Sequence, residues 1–408
     1  MVSPQFLIDA DAAGITQRIS QLSKICSQVN FHYPLQPLGS VAVDANKTLC
    51  LQIPAISDFE SIKIRLRNFD TSGVPLVATK VFVAAANSDL ADGSALDWRQ
   101  LTFSGQASVT IPAPVVDGSF LSIVPNFVDS DAINLAPADG KAYLQVRIYT
   151  ASGFTTETLK ADGDLGVIAT NYPDIKFGCA IAAGDKTDGS AVTLSRAGSS
   201  IIGGCMVAYS GKTPSISVIG FGDSIMAIGG SWTQLSWFNL GCRGATTSSI
   251  DFAHLNFAVI GQTHGAAMQS GRAILFQGYA PNVLVINVCS PNNGGLDSAG
   301  YLACLRDAQE TARRCRASGG VCVITTMQAY SSCTDHAARR AMNAQLISEA
   351  CMSYRVLDMA SILDDPENQN QLLPEYDSGD HTHLSQAGQI AVADEFSILL
   401  ASIGASRI

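Results

Sequence analysis

Two spacings of apolar residues divide the chain. From about residue 31 to 212 apolar and polar positions alternate. In "SIKIRLRNF", Ile62, Ile64 and Leu66 interleave with Lys63, Arg65 and Arg67, the period-2 pattern of a half-buried strand. The period returns in "QASVTIPA" at Ala107, Val109 and Ile111, and in "AYLQVRIYTA" at Leu144, Val146 and Ile148, between Gly, Asp, Pro and Ser turn residues. Short strands repeated in this way predict an antiparallel, all-β sandwich, jelly-roll-like in kind.

After Pro214 the pattern changes. Continuous apolar runs, "SISVIGFG", "NVLVINVCS", "VCVITTMQA" and "YRVLDMA", are separated by stretches with helical spacing. Strands alternating with helices predict a parallel sheet and an α/β domain. Leu302, Leu305, Ala308 and Ala312 mark one helix, closed by Gly319-Gly320, and "DHAARRAMNAQLISEACMS" reads as another. Gly and Pro in "YSGKTPS" place the change of period, so the expected organisation is a helical lead-in over 1–30, a β-sandwich over 31–212 and an α/β domain over 213–408.

Within the second half, three separated segments offer chemistry. The first run ends on "FGDSI", so Ser224 falls just beyond the carboxyl end of a strand, where open parallel sheets gather their ligands. Its own N–H is placed to face a developing oxyanion. A lipase-type elbow needs Gly two residues after the serine, and here that position is Met226. Near the other end, "DHTH" sets Asp380 three residues before His383. In one tight loop such a carboxylate accepts from Nδ1–H and leaves Nε2 free to take a proton from serine. Ser385 is the expected cap of the last helix, with Ile390, Phe396, Ile398 and Leu399 as its core anchors. "FNLGCRGATTS" and "INVCSPNNGG", both read as following strands, offer Gly244 N–H and the Asn292 amide as further donors.

Taken in order, these blocks resemble the SGNH or GDSL hydrolase superfamily over roughly residues 215 to 403. "FGDSI" is similar to its first block, "NLGCRGATT" to its second with Gly244, "VCSPNN" to its third with Asn292, and "DHTH" to its Asp-x-x-His block. The third block usually reads Gly-x-Asn-Asp, whereas this chain has Ser290 and Asn293 at the outer positions. The resemblance implies a flavodoxin-like three-layer domain and a serine esterase working through an acyl-enzyme. In it Ser224 is the nucleophile, His383 the base and Asp380 its orienting carboxylate, with Ser224 N–H, Gly244 and Asn292 forming the oxyanion hole. Members with a β-sandwich ahead of the hydrolase are similar to carbohydrate O-acetylesterases, so the expected substrate is an acetylated polysaccharide. The alternatives are a general short-chain esterase or lipase-like hydrolase on lipids or small acyl esters, and a glycan-binding or virion attachment protein with a hydrolase domain. Trp232 and Trp237 lie near the nucleophile in sequence, open either to stacking on sugars or to packing.

Composition narrows the rest. A net charge of −10 with no run of basic residues opposes nucleic acid as a partner. No leader and no apolar stretch of about 18 residues is evident, so a soluble chain without membrane insertion is expected. Eleven cysteines form no C-x-x-C pair, and His32, His254, His264 and His336 lack ligand spacing. Neither a metal nor an organic cofactor is expected.

Overall fold

The computed structural model describes residues 27–29, 39–54, 59–68, 70, 72–87, 91–113, 126–135, 143–160, 178–195, 200–202, 205–211, 215–227, 236–258, 260–269, 281–350 and 354–405. The antiparallel strands come first. One five-stranded sheet runs in the order Gly178–Ala183, Lys47–Pro54, Tyr143–Thr150, Lys80–Ala86, Arg99–Gln100. In a second, Cys205–Gly211 and Phe59–Asn68 pair at the centre. Leu49, Leu51, Val83, Val146 and Ile148 of the first sheet share one apolar core with Ile62, Ile64, Leu66 and Val207 of the second.

Alternation within these strands is followed on the inward faces but not always outside. Tyr143–Thr150 was expected to be half-buried, yet Gln145 and Arg147 on its polar face are buried too. The Arg147 guanidinium lies 4.2 Å over the Trp98 ring and donates to the carbonyls of Lys186, Ser190 and Asp92. Neighbouring loops thus cover that face and satisfy the cation with main-chain oxygens. The expected helical lead-in needs one correction. Ser27–Val29 form an antiparallel strand on Val207–Tyr209, where an open sheet edge offers ladder bonds, and residues 1–26 lie outside the described set.

The second half is a parallel sheet built from β1 (Ser215–Phe221), β2 (Asp251–Asn256), β3 (Val283–Asn287), β4 (Val321–Thr325) and β5 (Tyr354–Leu357). The spatial order is β2-β1-β3-β4-β5, the doubly wound flavodoxin-like order whose direction reverses between β1 and β3. Alternate strand residues feed two cores. Ile219, Phe221, Leu284 and Ile286 pack under α3 (Ser298–Ala317) and α4 (His336–Ser348). Val218, Val283, Val285 and Val323 pack under α2 (Trp237–Ala245) and α6 (Gln386–Ala405). Between them in sequence lie the short helices α1 (Ser224–Ala227) and α5 (Met359–Leu363). Three layers result because the central strands β1, β3 and β4 send apolar residues to both faces.

The last helix packs with two of its expected anchors, Phe396 and Leu399, against the core, and with the other two outside it. Phe396 is buried, but Ile390 and Ile398 are exposed, and the inward stripe is Gln389, Val392, Ala393, Phe396, Leu400 and Ile403. Close approach of α2 sets this face. A Cβ at Gly241 would lie 2.5 Å from the Phe396 ring. By length and composition α6 is apolar enough to span a membrane. In the fold it lies against α2, with its apolar stripe in the core.

Candidate active site

β1 leaves the sheet on Gly222-Asp223-Ser224. Glycine is required at 222 because a Cβ there would stand 2.8 Å from Asn287 Nδ2 on β3. Asp223 Oδ1 then accepts from the Ile225 amide at 2.8 Å, and its main-chain oxygen accepts from Met226 and Ala227. Burial drives the Asp223 carboxyl above its ordinary range, against the opposing amide bond. The turn is thereby fixed and Ser224 becomes the first residue of α1, a position whose N–H has no acceptor within the helix.

The partner loop arrives from the other end of the domain. Asp377 and Leu384 form a bridge, Ser378 N–H donates to His383 O at 3.0 Å, and the buried Leu384 anchors the loop in the core. Ser385 Oγ accepts from Gly388 N–H at 3.2 Å, which is the cap expected at the start of α6. Within this loop Asp380 Oδ1 accepts from the amides of Thr382 and His383, and Oδ2 lies 2.6 Å from His383 Nδ1. On the opposite side of the ring, His383 Nε2 lies 2.8 Å from Ser224 Oγ. The described site is therefore a continuous serine–imidazole–carboxylate relay. Burial works to raise the Asp380 carboxyl, but the His383 ring and the two amides outweigh it and hold it down at about 2. A carboxylate ionised at any ordinary pH holds the tautomer with Nε2 facing the serine.

His381 sits beside this relay but faces another carboxylate. Its Nδ1 lies 2.5 Å from Asp377 Oδ2, its side chain is largely exposed, and its φ is +57°. The three-residue spacing thus selects His383 over His381 as the imidazole on Ser224.

Asn292 lies at the reversal point of the sheet, in the single turn Pro291–Asn293 that follows β3. Ser290 occupies the cap of that turn. Its Oγ accepts from Asn292 N–H at 3.1 Å and donates to Gln262 O at 2.9 Å. Asn292 Nδ2 donates to the same Gln262 oxygen at 3.1 Å and to Ser290 Oγ at 3.2 Å. Serine in place of the usual glycine therefore ties the loop after β3 to the loop after β2. Both hydrogens of Nδ2 are engaged, so a bond to a substrate oxygen requires one to be exchanged.

Gly244 does not join this assembly. "FNLGCRGATTS" is not a post-strand loop but the body of α2, and Gly244 lies near its carboxyl end, just ahead of β2. β2 starts beside Ser215, so Gly244 lies toward the amino end of the sheet while Ser224 lies beyond the carboxyl end. A seven-residue strand separates those ends by roughly 23 Å. Gly244 instead packs against α6, where an added Cβ would meet Ser397 at 3.2 Å. The glycine on the correct side is Gly261, in the turn after β2, with φ +79° and open space where a Cβ would stand. It immediately precedes Gln262, whose oxygen binds Ser290 and Asn292. Its signal in sequence is "LNFAVIGQT", an apolar run followed by a turn glycine, which the more regular "NLGCRGATT" obscures.

Trp237 is a packing residue, fully buried, with Nε1 donating to Ile225 O at 3.0 Å. Trp232 and His32 lie outside the described residues. His254 is buried and bonded to Phe252 O at 3.1 Å, and burial lowers its ring to about 4. Among the described residues no group of three His, Cys, Asp or Glu side chains is arranged to hold a metal ion.

No protein-family model and no curated protein matches the chain. Among solved structures it is similar to a member of the lipolytic protein G-D-S-L family from Veillonella parvula, at 19% identity and TM-score 0.34, covering 44% of this chain and 94% of that one. It is also similar to a psychrotrophic esterase from Pseudoalteromonas, at 16% identity and TM-score 0.35, covering 46% and 97%. A family two carbohydrate esterase from Cellvibrio japonicus is similar at 11% identity and TM-score 0.37, over 93% of this chain and 94% of that one.

Proposed function

We propose that the chain is a serine esterase of the SGNH kind, its hydrolase domain spanning 213–408 behind a jelly-roll-like sandwich over 31–212. The observation that carries this reading is the contact of His383 Nε2 with Ser224 Oγ at 2.8 Å, backed by Asp380 on Nδ1. Serine alone is a weak nucleophile. With Nε2 taking its proton, Ser224 Oγ attacks the ester carbonyl, and the tetrahedral oxyanion is met by the Ser224 and Gly261 N–H groups and the Asn292 amide. Collapse expels the alcohol, protonated by His383, and leaves an acyl-enzyme. Water, deprotonated by the same imidazole, then releases the acid. In this mechanism no step calls for a cofactor.

For the substrate we favour the acetyl ester of a glycan over a long acyl chain. The described surface around the relay is polar and short-chained, with Asn292, Ser331, Ser332, Ser378 and His381 exposed. The exposed large apolar side chains among the described residues are Val74, Ile347, Ile390 and Ile398, none of them in those loops. Such a rim suits a hydroxyl-rich carrier better than a lipid tail. Hydrolysis of p-nitrophenyl acetate, butyrate and octanoate by the wild type and Ser224→Ala tests both levels. Acetate-selective turnover lost in the variant, followed by acetate release from an acetylated polysaccharide, is the expected result. Turnover that survives the substitution removes Ser224 from the mechanism, and octanoate preference removes the glycan.

A further inference from the structure

The Ser290–Asn293 segment has a second attachment, which the ester chemistry leaves unused. Cys289, between β3 and Ser290, and Cys304, on α3, are both buried, with sulfurs 3.0 Å apart. That is about 1 Å beyond a disulfide bond length. A buried cysteine is ordinarily a small core residue, but a second thiol in direct contact adds chemistry that a lone one lacks. The surroundings are ionisable rather than purely apolar. His264, one-twentieth exposed, has no hydrogen-bond partner on either ring nitrogen, and Nε2 lies 3.5 Å from Asp307 Oδ2, one turn along α3 from Cys304. His264 N–H also donates to Asn293 Oδ1 at 3.0 Å, linking this cluster to the loop that carries Asn292. The bond from Cys289 lowers the Cys304 thiol against the effect of burial, with the neighbouring His264 acting in the same direction.

We propose that Cys289 and Cys304 are an oxidisable pair whose disulfide pulls the Ser290–Asn292 loop toward α3 and slows the site on Ser224. Hydrogen peroxide is small enough to serve as the oxidant. The Cys304 thiolate attacks one peroxide oxygen, breaking the O–O bond and giving a sulfenic acid and hydroxide, which takes a proton to become water. The Cys289 sulfur then attacks Cys304 Sγ, and the sulfenic oxygen leaves as a second water with the Cys289 proton. Two thiols lose two electrons, and one peroxide becomes two waters. Closing the gap moves Cys289 by up to about 1 Å, a shift of the size that degrades catalytic placement.

The test uses the full chain, reduced and desalted, then treated with peroxide, with free thiols alkylated and peptides mapped by mass. The expected result is a cross-link joining the Cys289 and Cys304 peptides, with loss of about 2 Da and a rise in Tm of about 5 °C. Turnover of p-nitrophenyl acetate falls about tenfold, and dithiothreitol reverses all three. Cys304→Ala keeps basal turnover and loses the response. Alkylation of both cysteines after peroxide overturns the proposal, as does a cross-link that leaves turnover unchanged. The turnover arm rests on the esterase reading, whereas the mass and Tm arms do not. A cross-link with raised Tm in a protein lacking any turnover supports the pair and counts against the esterase.

Discussion

His383 Nε2 reaches Ser224 Oγ at 2.8 Å across 159 positions of sequence. Groups joined in this way act as one unit, so their losses do not add. Ser224→Ala and His383→Ala should each lower kcat on p-nitrophenyl acetate by roughly 10⁴- to 10⁶-fold, and the double variant no further. Losses that multiply in the double variant would show that the two residues act separately.

Asp380 makes its contribution through the imidazole. Asp380→Asn removes the acceptor that fixes the Nδ1–H tautomer, and kcat should fall by about 10³- to 10⁴-fold with little change in KM. Its ionisation also leaves a mark on stability. The folded carboxyl is held at about 2, below the ordinary value near 3.9. The stabilisation it gives is therefore complete above about pH 4 and lost as pH falls toward 2. Acid unfolding of the wild type and Asp380→Asn, followed by circular dichroism, should converge over that interval, and a constant offset would contradict the assignment.

Oxyanion donors separate the two glycines. Asn292→Ala should lower kcat by about 10²- to 10³-fold. Gly261→Ala, which forces a side chain onto φ +79°, should reduce turnover more than about tenfold. Gly244→Ala should leave turnover within about twofold, since its Cβ meets only Ser397 on α6. Steady-state kinetics on the three variants decide the matter, and a catalytic defect confined to Gly244→Ala would reverse the correction made above.

A buried ion pair holds the loop after β4. Arg339 Nη1 lies 2.8 Å from Asp364 Oδ2 and 2.7 Å from Met327 O, while Asp364 Oδ1 accepts from Ala329 N–H at 2.7 Å. Further along the same loop, Ser331 Oγ lies 2.7 Å from Thr382 Oγ1, beside the base. Arg339→Met leaves the carboxylate buried without its cation and should cost about 3–5 kcal/mol, lowering Tm by about 10 °C. Arg339→Met with Asp364→Leu should recover part of that loss, as thermal unfolding would report, and a neutral single variant would show that the buried Asp364 does not depend on its cation.

The relay was legible because its chemistry is local. Gly222-Asp223-Ser224 is one turn and Asp380-x-x-His383 one loop, so each half could be read from a few consecutive residues. The parallel sheet was legible for a similar reason, since β3 and β4 are short, almost wholly buried apolar runs and β1 ends in one. Gly244 and Gly261 were not distinguishable in this way. Each is a glycine downstream of apolar residues, and only the start of β2 at Asp251 shows which lies beyond its carboxyl end. The face of α6 was equally hidden. Its apolar residues surround the helix, and the approach of Gly241 to Phe396 chooses among them.

The sequence by itself determined the period of each half, the serine at a strand end and the carboxylate paired with its imidazole. These depend on neighbours within a few residues, where backbone geometry and side-chain reach are fixed by chemistry. Tertiary structure alone decided that Gly261 rather than Gly244 lies on the side of Ser224, that Ser290 and Asn292 bind the loop after β2, and that Cys289 touches Cys304. Those contacts depend on the order of strands in the sheet, which places residues far apart in sequence within a few ångströms, and no local pattern encodes that order.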